Sequence, residues 1–185
     1  HTFFGCTKLK SVVIGDGVTS IDERAFANCS SLTSVEIPNS GTSIGEYVFF
    51  QCTGLTSVEI PNSVTSIGES AFCFSGLTSI EIPGSVTSIG SGTFYECTGL
   101  KNVVIGDGVT GIDERAFYGC TKLTSIEIPG SVTTIGKYAF EDCTGLKNVV
   151  IGDGVTNIGE GAFDGCTGLT SVEIPGSVTS IGDYA

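Results

Sequence analysis

The chain repeats itself with a period of 23 residues, and this period constrains the fold more than any other feature. Leucine recurs at this spacing, shortened once to 22 between Leu55 and Leu77, and isoleucine and phenylalanine recur in step with it. A fixed period of about 20 to 50 residues is typical of solenoids and other repeat architectures. The leucines are Leu9, Leu32, Leu55, Leu77, Leu100, Leu123, Leu146 and Leu169.

Each unit contains two short segments that favour β-structure. Residues 34–37 read S-V-E-I, the polar and apolar alternation of a strand with one buried face. A turn signal follows, either a proline such as Pro38 or the Gly-Asp-Gly of residues 15–17. A second run, as in residues 64–67, precedes a Glu-x-Ala-Phe motif that we expect to form one helical or 3-10 turn.

One unit of 23 residues cannot bury its own leucine, valine, isoleucine and phenylalanine, whereas stacked units can. Equivalent residues would then lie about 4.8 Å apart in ladders through one continuous core. We therefore predict a β-rich, right-handed solenoid of about eight units with a parallel sheet and short helical or 3-10 turns. Residues 1–185 are expected to form a single solenoid, a fragment of a longer array, since the chain starts without methionine and its last unit stops at Ala185.

Composition argues against several classes of function. The chain has 8 basic and 20 acidic residues, a net charge of -12, which would repel the phosphate backbone of nucleic acids. The single histidine is His1, and neither a G-x-S-x-G elbow nor a P-loop is present. No apolar run approaches the roughly 18 residues that span a bilayer. We therefore expect a protein that is not an enzyme, with no cofactor, no metal site, no nucleic-acid partner and no membrane insertion.

Seven of the eight cysteines occupy the same position of the unit, three residues before each leucine. We expect them to form a ladder of buried free thiols with parallel side chains, since a disulfide needs Cβ atoms about 3.8 Å apart on converging vectors. Thiolate metal binding is disfavoured because no C-x-x-C pair occurs. The ladder consists of Cys6, Cys29, Cys52, Cys97, Cys120, Cys143 and Cys166.

Cys73 is the exception, because the fourth unit is one residue short between Phe72 and Leu77. Counting back from Leu77 puts Phe74 in the ladder position and Cys73 at a variable one. Two interpretations stay open, an exposed reactive thiol and a tolerated drift in one unit.

The outward positions of the first strand form a candidate binding face. The central position of this strand is glutamate in five units and valine in the others, and lysine precedes the strand only in valine units. Such a face could bind a basic partner or a cation, or it could simply keep the sheet solvated and unpaired at its edges. The candidate binding residues are Glu36, Glu59, Glu81, Glu127, Glu173, Lys10, Lys101 and Lys147.

The unit L-x-x-[IV]-x-I-P-x-S-V-T-S-I-G-x-x-A-F-x-x-C resembles the BspA-like leucine-rich repeats of bacterial and protist surface proteins, over essentially the whole chain. The resemblance implies a secreted or cell-surface solenoid that mediates adhesion by binding proteins of a host or a neighbouring cell. A structural spacer or a self-assembling filament of copies stacked end to end is the alternative, since residues 99–110 and 145–156 are identical. A self-similar surface suits weak multivalent contacts.

Overall fold

The computed structural model describes residues 1–41 and 43–185 as a solenoid of short parallel strands joined by turns. Each unit contributes up to two strands, and each strand pairs with its counterpart in an adjacent unit. The first strands are β1 (Ser11–Val13), β3 (Ser34–Glu36), β5 (Ser79–Ile82), β7 (Asn102–Ile105), β9 (Ser125–Ile128) and β11 (Asn148–Ile151). The second strands are β2 (Ser20–Ile21), β4 (Ser43–Ile44), β6 (Ser88–Ile89), β8 (Gly111–Ile112), β10 (Thr134–Ile135), β12 (Asn157–Ile158) and β13 (Ser180–Ile181).

The strands pair in parallel with a register of one unit, as the repeat predicts. Val12 lies opposite Val35, and Ile135 lies opposite Ile158. The second strands form a sheet in the order β13-β12-β10-β8-β6, and β2 pairs with β4. The first strands pair as β1-β3, β5-β7 and β9-β11. Parallel pairing is therefore confirmed, although the first-strand sheet is interrupted at the third unit, where residues 57–60 have no strand, and again between β7 and β9.

The core consists of columns of identical residues. Successive phenylalanine rings stack nearly parallel from Phe3 to Phe163, with centroids 5.1 to 5.8 Å apart. The leucine column beside it is fully buried from Leu32 to Leu146. These columns confirm the predicted ladders, and most of the variable positions lie outside them.

The Glu-x-Ala-Phe segment contains no helix in the described ranges, so the expected helical or 3-10 turn is wrong. Its amides alternate between two acceptors: Ala25 N donates to Asp22 O within the turn (3.2 Å), whereas Arg24 N donates to Glu46 O of the next unit (2.9 Å). The alternation requires left-handed backbone at Arg24 (φ 54°) and again at Asn28 (φ 61°). A helix would keep all its amides within the segment, whereas here every second amide joins two units.

The left-handed positions give the first testable prediction. Gln51 is an exposed residue with φ 55°, and Gly119 and Gly165 occupy the same position in other units. Residues other than glycine are strained in this conformation by on the order of 1 kcal/mol. Substitution by glycine relieves that strain, but part of the gain in stability is offset because glycine has more conformational freedom in the unfolded chain. We expect Gln51→Gly to raise the free energy of unfolding by about 0.5 kcal/mol in urea denaturation. Gln51→Ala removes the same side chain but keeps the strain, so equal stability of the two variants would contradict the prediction.

Candidate protein-binding surfaces

The sheet face consists of the outward side chains of the first strands. The central column places Val13 opposite Glu36, Glu81 opposite Val104 and Glu127 opposite Val150. The three valines are 56% to 73% exposed, although they are apolar. Glu36, Glu59 and Glu81 are consecutive, whereas Glu127 and Glu173 each follow a valine unit. The structure therefore assembles one acidic block followed by an alternation of carboxylates and apolar side chains.

The lysines of this face lie at its margin, one position before the strand. Lys10, Lys101 and Lys147 are exposed, and the Lys101 amide donates to Thr78 O (2.9 Å). In the described ranges the ion pairs are Arg24–Glu23, Arg115–Glu114 and Lys137–Glu160, all away from the sheet face. The charges of the sheet face are thus not neutralised by one another.

A groove of about 700 Å³ crosses the sheet face from the second unit to the fifth. Glu59, Glu81 and Val104 line it, and Asn39 and Asn62 flank it at the following turns. The groove coincides with the interruption of the sheet at residues 57–60. It combines carboxylates, amides and an exposed valine, which is a suitable chemical mixture for a protein contact.

A second surface, which sequence reasoning missed, is a row of aromatic side chains on the Glu-x-Ala-Phe side. We call it the aromatic edge; it contains Tyr47, Phe50, Phe74, Tyr95 and Tyr118. Neighbouring ring centroids lie 5.9, 5.9, 5.6 and 4.6 Å apart in that order. These residues occupy variable positions of the unit, and the only signal was that consecutive units all carry an aromatic residue there.

Carboxylates surround the aromatic edge and bind its hydroxyls. Tyr118 donates to Asp142 (3.2 Å), and Tyr138, one unit further along, donates to Glu160 (2.6 Å). Burial and then the bond to Asp142 raise the pKa of Tyr118, whereas the bond from Tyr138 lowers the pKa of Glu160. The hydroxyls of Tyr118 and Tyr138 therefore stay protonated and Glu160 stays charged at neutral pH.

Two arginines of the chain stack on tyrosines of this side. The Arg24 guanidinium lies 4.7 Å from the Tyr47 ring centroid, and that of Arg115 lies 5.0 Å from the Tyr138 centroid. Each arginine also pairs with the preceding glutamate, Glu23 or Glu114. The chain thus already uses an aromatic face and a carboxylate together to hold a guanidinium.

The cysteine column donates hydrogen bonds rather than forming bridges. Cys52 Sγ donates to Phe26 O (3.2 Å), and Cys143 Sγ donates to Phe117 O (3.2 Å). All eight cysteines are free thiols; Cys6 is exposed and Cys166 half-buried at the two ends of the column. Cys29, Cys52, Cys97, Cys120 and Cys143 are buried. Burial raises the pKa of Cys52 to about 12 and that of Cys97 to about 11.

Of the two interpretations of Cys73, the exposed reactive thiol does not hold, because Cys73 is only 5% exposed. The missing residue lies between Ser75 and Leu77, so Ser75, not Phe74, takes the ladder position. Ser75 N donates to Phe72 O (3.0 Å), and its hydroxyl lies 3.4 Å from Cys97 Sγ. Phe74 instead points outward and is 39% exposed. Burial raises the pKa of Cys73 to about 12, which makes it a poor nucleophile.

The described residues, 1–41 and 43–185, contain neither a metal-binding cluster nor a membrane-spanning helix. There, no group of three or more histidine, cysteine, aspartate or glutamate side chains is arranged to hold a metal ion. No helix within the same residues has the length and apolarity needed to cross a membrane.

Comparison with known families decides the classification. The BspA type leucine-rich repeat region, in 6 copies, matches residues 1–97 and 65–185. The chain belongs to the BspA-type leucine-rich repeat family. As a leucine-rich repeat chain it is a repeat protein of a class whose extended surfaces serve protein binding.

Solved structures agree with this classification. A leucine-rich repeat protein of T. pallidum is 27% identical, with a TM-score of 0.62 over 91% of this chain and 69% of its own. A leucine-rich cell surface protein of Faecalibacterium prausnitzii is 30% identical, with a TM-score of 0.53 over 93% of this chain and 61% of its own. The pneumococcal vaccine antigen PcpA is 18% identical over 91% of this chain and 61% of its own, with a TM-score of 0.61, and shares the fold. Comparison with curated protein sequences gives no significant match.

The buried thiols of this leucine-rich repeat chain predict alkaline destabilisation. The pKa of Cys52 rises from its ordinary value of 9.0 to about 12 in the fold. The contribution of the buried Cys52 thiol to the free energy of unfolding is complete below pH 9.0, the pKa of the thiol in the unfolded chain. It is lost as the pH rises toward 12, because only the unfolded thiol ionises in that window. We expect the urea midpoint to fall between pH 8 and pH 10.5, and to fall less steeply in Cys52→Ala. An identical pH dependence of both proteins would contradict this assignment, since the tyrosines titrate in both.

Proposed function

We propose that this protein is a non-catalytic repeat protein, secreted or displayed at the cell surface, which mediates adhesion by binding proteins of a host or a neighbouring cell through its sheet face. The observation that carries the proposal is the unneutralised sheet face with its groove of about 700 Å³, in which Glu59 and Glu81 lie beside exposed Val104. Location at the surface is supported by the Faecalibacterium relative, which is described as a leucine-rich cell surface protein.

The composition of the sheet face favours a protein with a basic contact surface. Basic partners approach an acidic block faster than neutral partners do, and exposed valines supply the apolar area that retains them after contact. The repetition of glutamate and valine units along the face offers several equivalent contacts, so weak individual contacts can sum to useful avidity.

The test compares charge reversal on the sheet face with charge reversal elsewhere. Fluorescent chain is added to epithelial cells, and bound fluorescence is measured by flow cytometry before and after mild trypsin treatment of the cells. We expect trypsin-sensitive binding that Glu59→Lys combined with Glu81→Lys reduces by about tenfold, because two carboxylates that face a basic partner become repulsive.

The matched control is Glu46→Lys combined with Asp183→Lys, which makes the same change of net charge at exposed residues away from the sheet face. Equal loss in both double variants would indicate general electrostatics, and unchanged binding of the sheet-face variant would exclude this face. Binding that survives trypsin would argue against a protein ligand.

Self-association by end-to-end stacking is a second candidate, supported by the identity of residues 99–110 and 145–156, two units apart. In the 185-residue chain β13 pairs only with β12, and Ile181 is 57% exposed. Because all units share one register, the strand at one end of a copy matches the strand at the other end of another copy.

Light scattering of the 185-residue chain against concentration tests this candidate. We expect Ile181→Lys to lower the average mass at high concentration by placing a charge in the stacked end, whereas Val104→Lys on the sheet face leaves it unchanged. A wild-type chain that stays monomeric at all concentrations would exclude end-to-end stacking.

A further inference from the structure

The fourth unit breaks the period and leaves a notch in the surface. The other units that carry glycine before the leucine connect it to the cysteine through threonine, as in Cys52-Thr53-Gly54-Leu55, whereas the fourth unit has only Ser75-Gly76-Leu77. The shortened link packs tightly, since the Gly76 amide donates to Cys52 O (3.2 Å) and a Cβ there would collide with the Thr53 carbonyl. The surface is therefore lowered at this unit and flanked by Thr53 and Thr98.

The notch opens into a shallow groove of about 710 Å³ beside Phe74, the middle member of the aromatic edge. Gly76 forms part of its floor, Phe74 and Glu96 line one side, and Asn28 and Gln51 extend it toward the second unit. Phe74, 39% exposed, is packed edge-on against Phe50 and Tyr95, at 5.9 and 5.6 Å between centroids. Its position is thus fixed by its neighbours before any partner arrives.

The chemistry of the groove favours a cation. In the part of the chain that the structure describes, Glu96 is the charged residue of the groove lining, and no lysine or arginine lines it. The stacking arginines Arg24 and Arg115 occupy the same position of the unit, two residues before the phenylalanine. Near the notch this position is Ser70 or Gly92. Among the described residues, then, Phe74 has no guanidinium stacked on it, although Tyr47 and Tyr138 each have one.

We propose that the notch beside Phe74 is a docking site for an arginine side chain in an extended, basic segment of a protein partner. The guanidinium stacks on the Phe74 ring and pairs with the Glu96 carboxylate, which turns toward it from its position against Gly119. Arg24 likewise stacks on Tyr47 and pairs with Glu23. The amides of Asn28 and Gln51 accept from the peptide backbone beside it. Arginine suits the site better than lysine because a planar guanidinium can stack and donate at once.

This inference deepens the proposed protein-binding role but uses a different surface from the sheet face. The two can fail independently, because Glu59 and Glu81 do not line the notch, and Phe74 and Glu96 do not line the sheet-face groove.

The test follows the amide chemical shifts of the ¹⁵N-labelled chain while the peptide acetyl-Gly-Arg-Gly-Arg-Gly-amide is added. The titration is carried out at two salt concentrations, about 20 mM and about 150 mM. The matched peptide contains citrulline in place of arginine, which keeps the shape and removes the charge. We expect shifts confined to Gln51, Gly76, Thr98 and Gly99 with the arginine peptide and none of comparable size with the citrulline peptide.

Three variants of the chain and one control variant refine the result. Phe74→Leu, which keeps apolar bulk without a π face, and Glu96→Gln should each weaken binding by about twofold to fivefold. Insertion of threonine after Ser75 restores the period and fills the notch, and should abolish the local shifts. Asp107→Asn removes one charge from an exposed turn outside the groove and should change nothing.

Shifts spread over the acidic surface, equal effects of the two peptides, or equal weakening by Glu96→Gln and Asp107→Asn would overturn the proposal. If the insertion variant fails to fold by circular dichroism, the two point variants decide the question. Both leave the buried columns intact, since Phe74 and Glu96 lie outside them.

Discussion

The structure depends on backbone hydrogen bonding between consecutive units at equal register. Phe26 N donates to Val48 O (3.1 Å) and Phe49 N donates to Ala71 O (2.7 Å). Backbone hydrogen bonds therefore join consecutive units even where the chain forms no strand. Equal register forces each buried side chain to lie against its own counterpart. The buried positions must then have side chains that stack on copies of themselves, as the phenylalanine rings do. Outward positions carry no such requirement and can differ between units.

The cysteine column follows from the same constraint. The chain needs a small buried residue at this corner that can also donate to the carbonyl of a phenylalanine in the preceding unit. A thiol meets both needs, since it packs as a small apolar group and donates weakly. Ser75 replaces it in the fourth unit, where its hydroxyl contacts Cys97 Sγ. The position therefore selects for size and a donor rather than for redox chemistry, which agrees with the raised pKa values of the buried thiols.

What could be predicted from the sequence is what the repeat itself determines. Identical residues at equal spacing specify the parallel register and the core columns, so both were predictable. The alternating turns were not, because ordinary side chains such as Arg24 and Tyr47 occupy left-handed backbone that pattern reasoning assigns to glycine. Stacking outweighs that local strain, since each such residue also directs an amide to the next unit.

The candidate site was predicted only in part, for a related reason. The Glu and Val columns of the sheet face follow directly from strand alternation. The position of the missing residue does not, because counting from Leu77 and counting from Phe72 place it differently, and only the hydrogen bond from Ser75 N to Phe72 O decides between them. With that position unknown, Phe74 was assigned to the core rather than to the surface. The aromatic edge could not be predicted from the repeat, because its members occupy positions whose residue type differs from unit to unit.

Periodicity and its interruption have opposite consequences for recognition. Two segments of identical sequence, such as residues 99–110 and 145–156, present a partner with two nearly identical contacts, so a ligand can shift by whole units with little loss of binding free energy. A feature that occurs once removes this degeneracy, because only one register places a given partner side chain beside it. The shortened fourth unit is such a feature, and Phe74 and Glu96 give it a chemistry that the neighbouring units lack. In a repeat protein, the unit that departs from the consensus is therefore the place where an otherwise uniform surface can bind a partner in a single register.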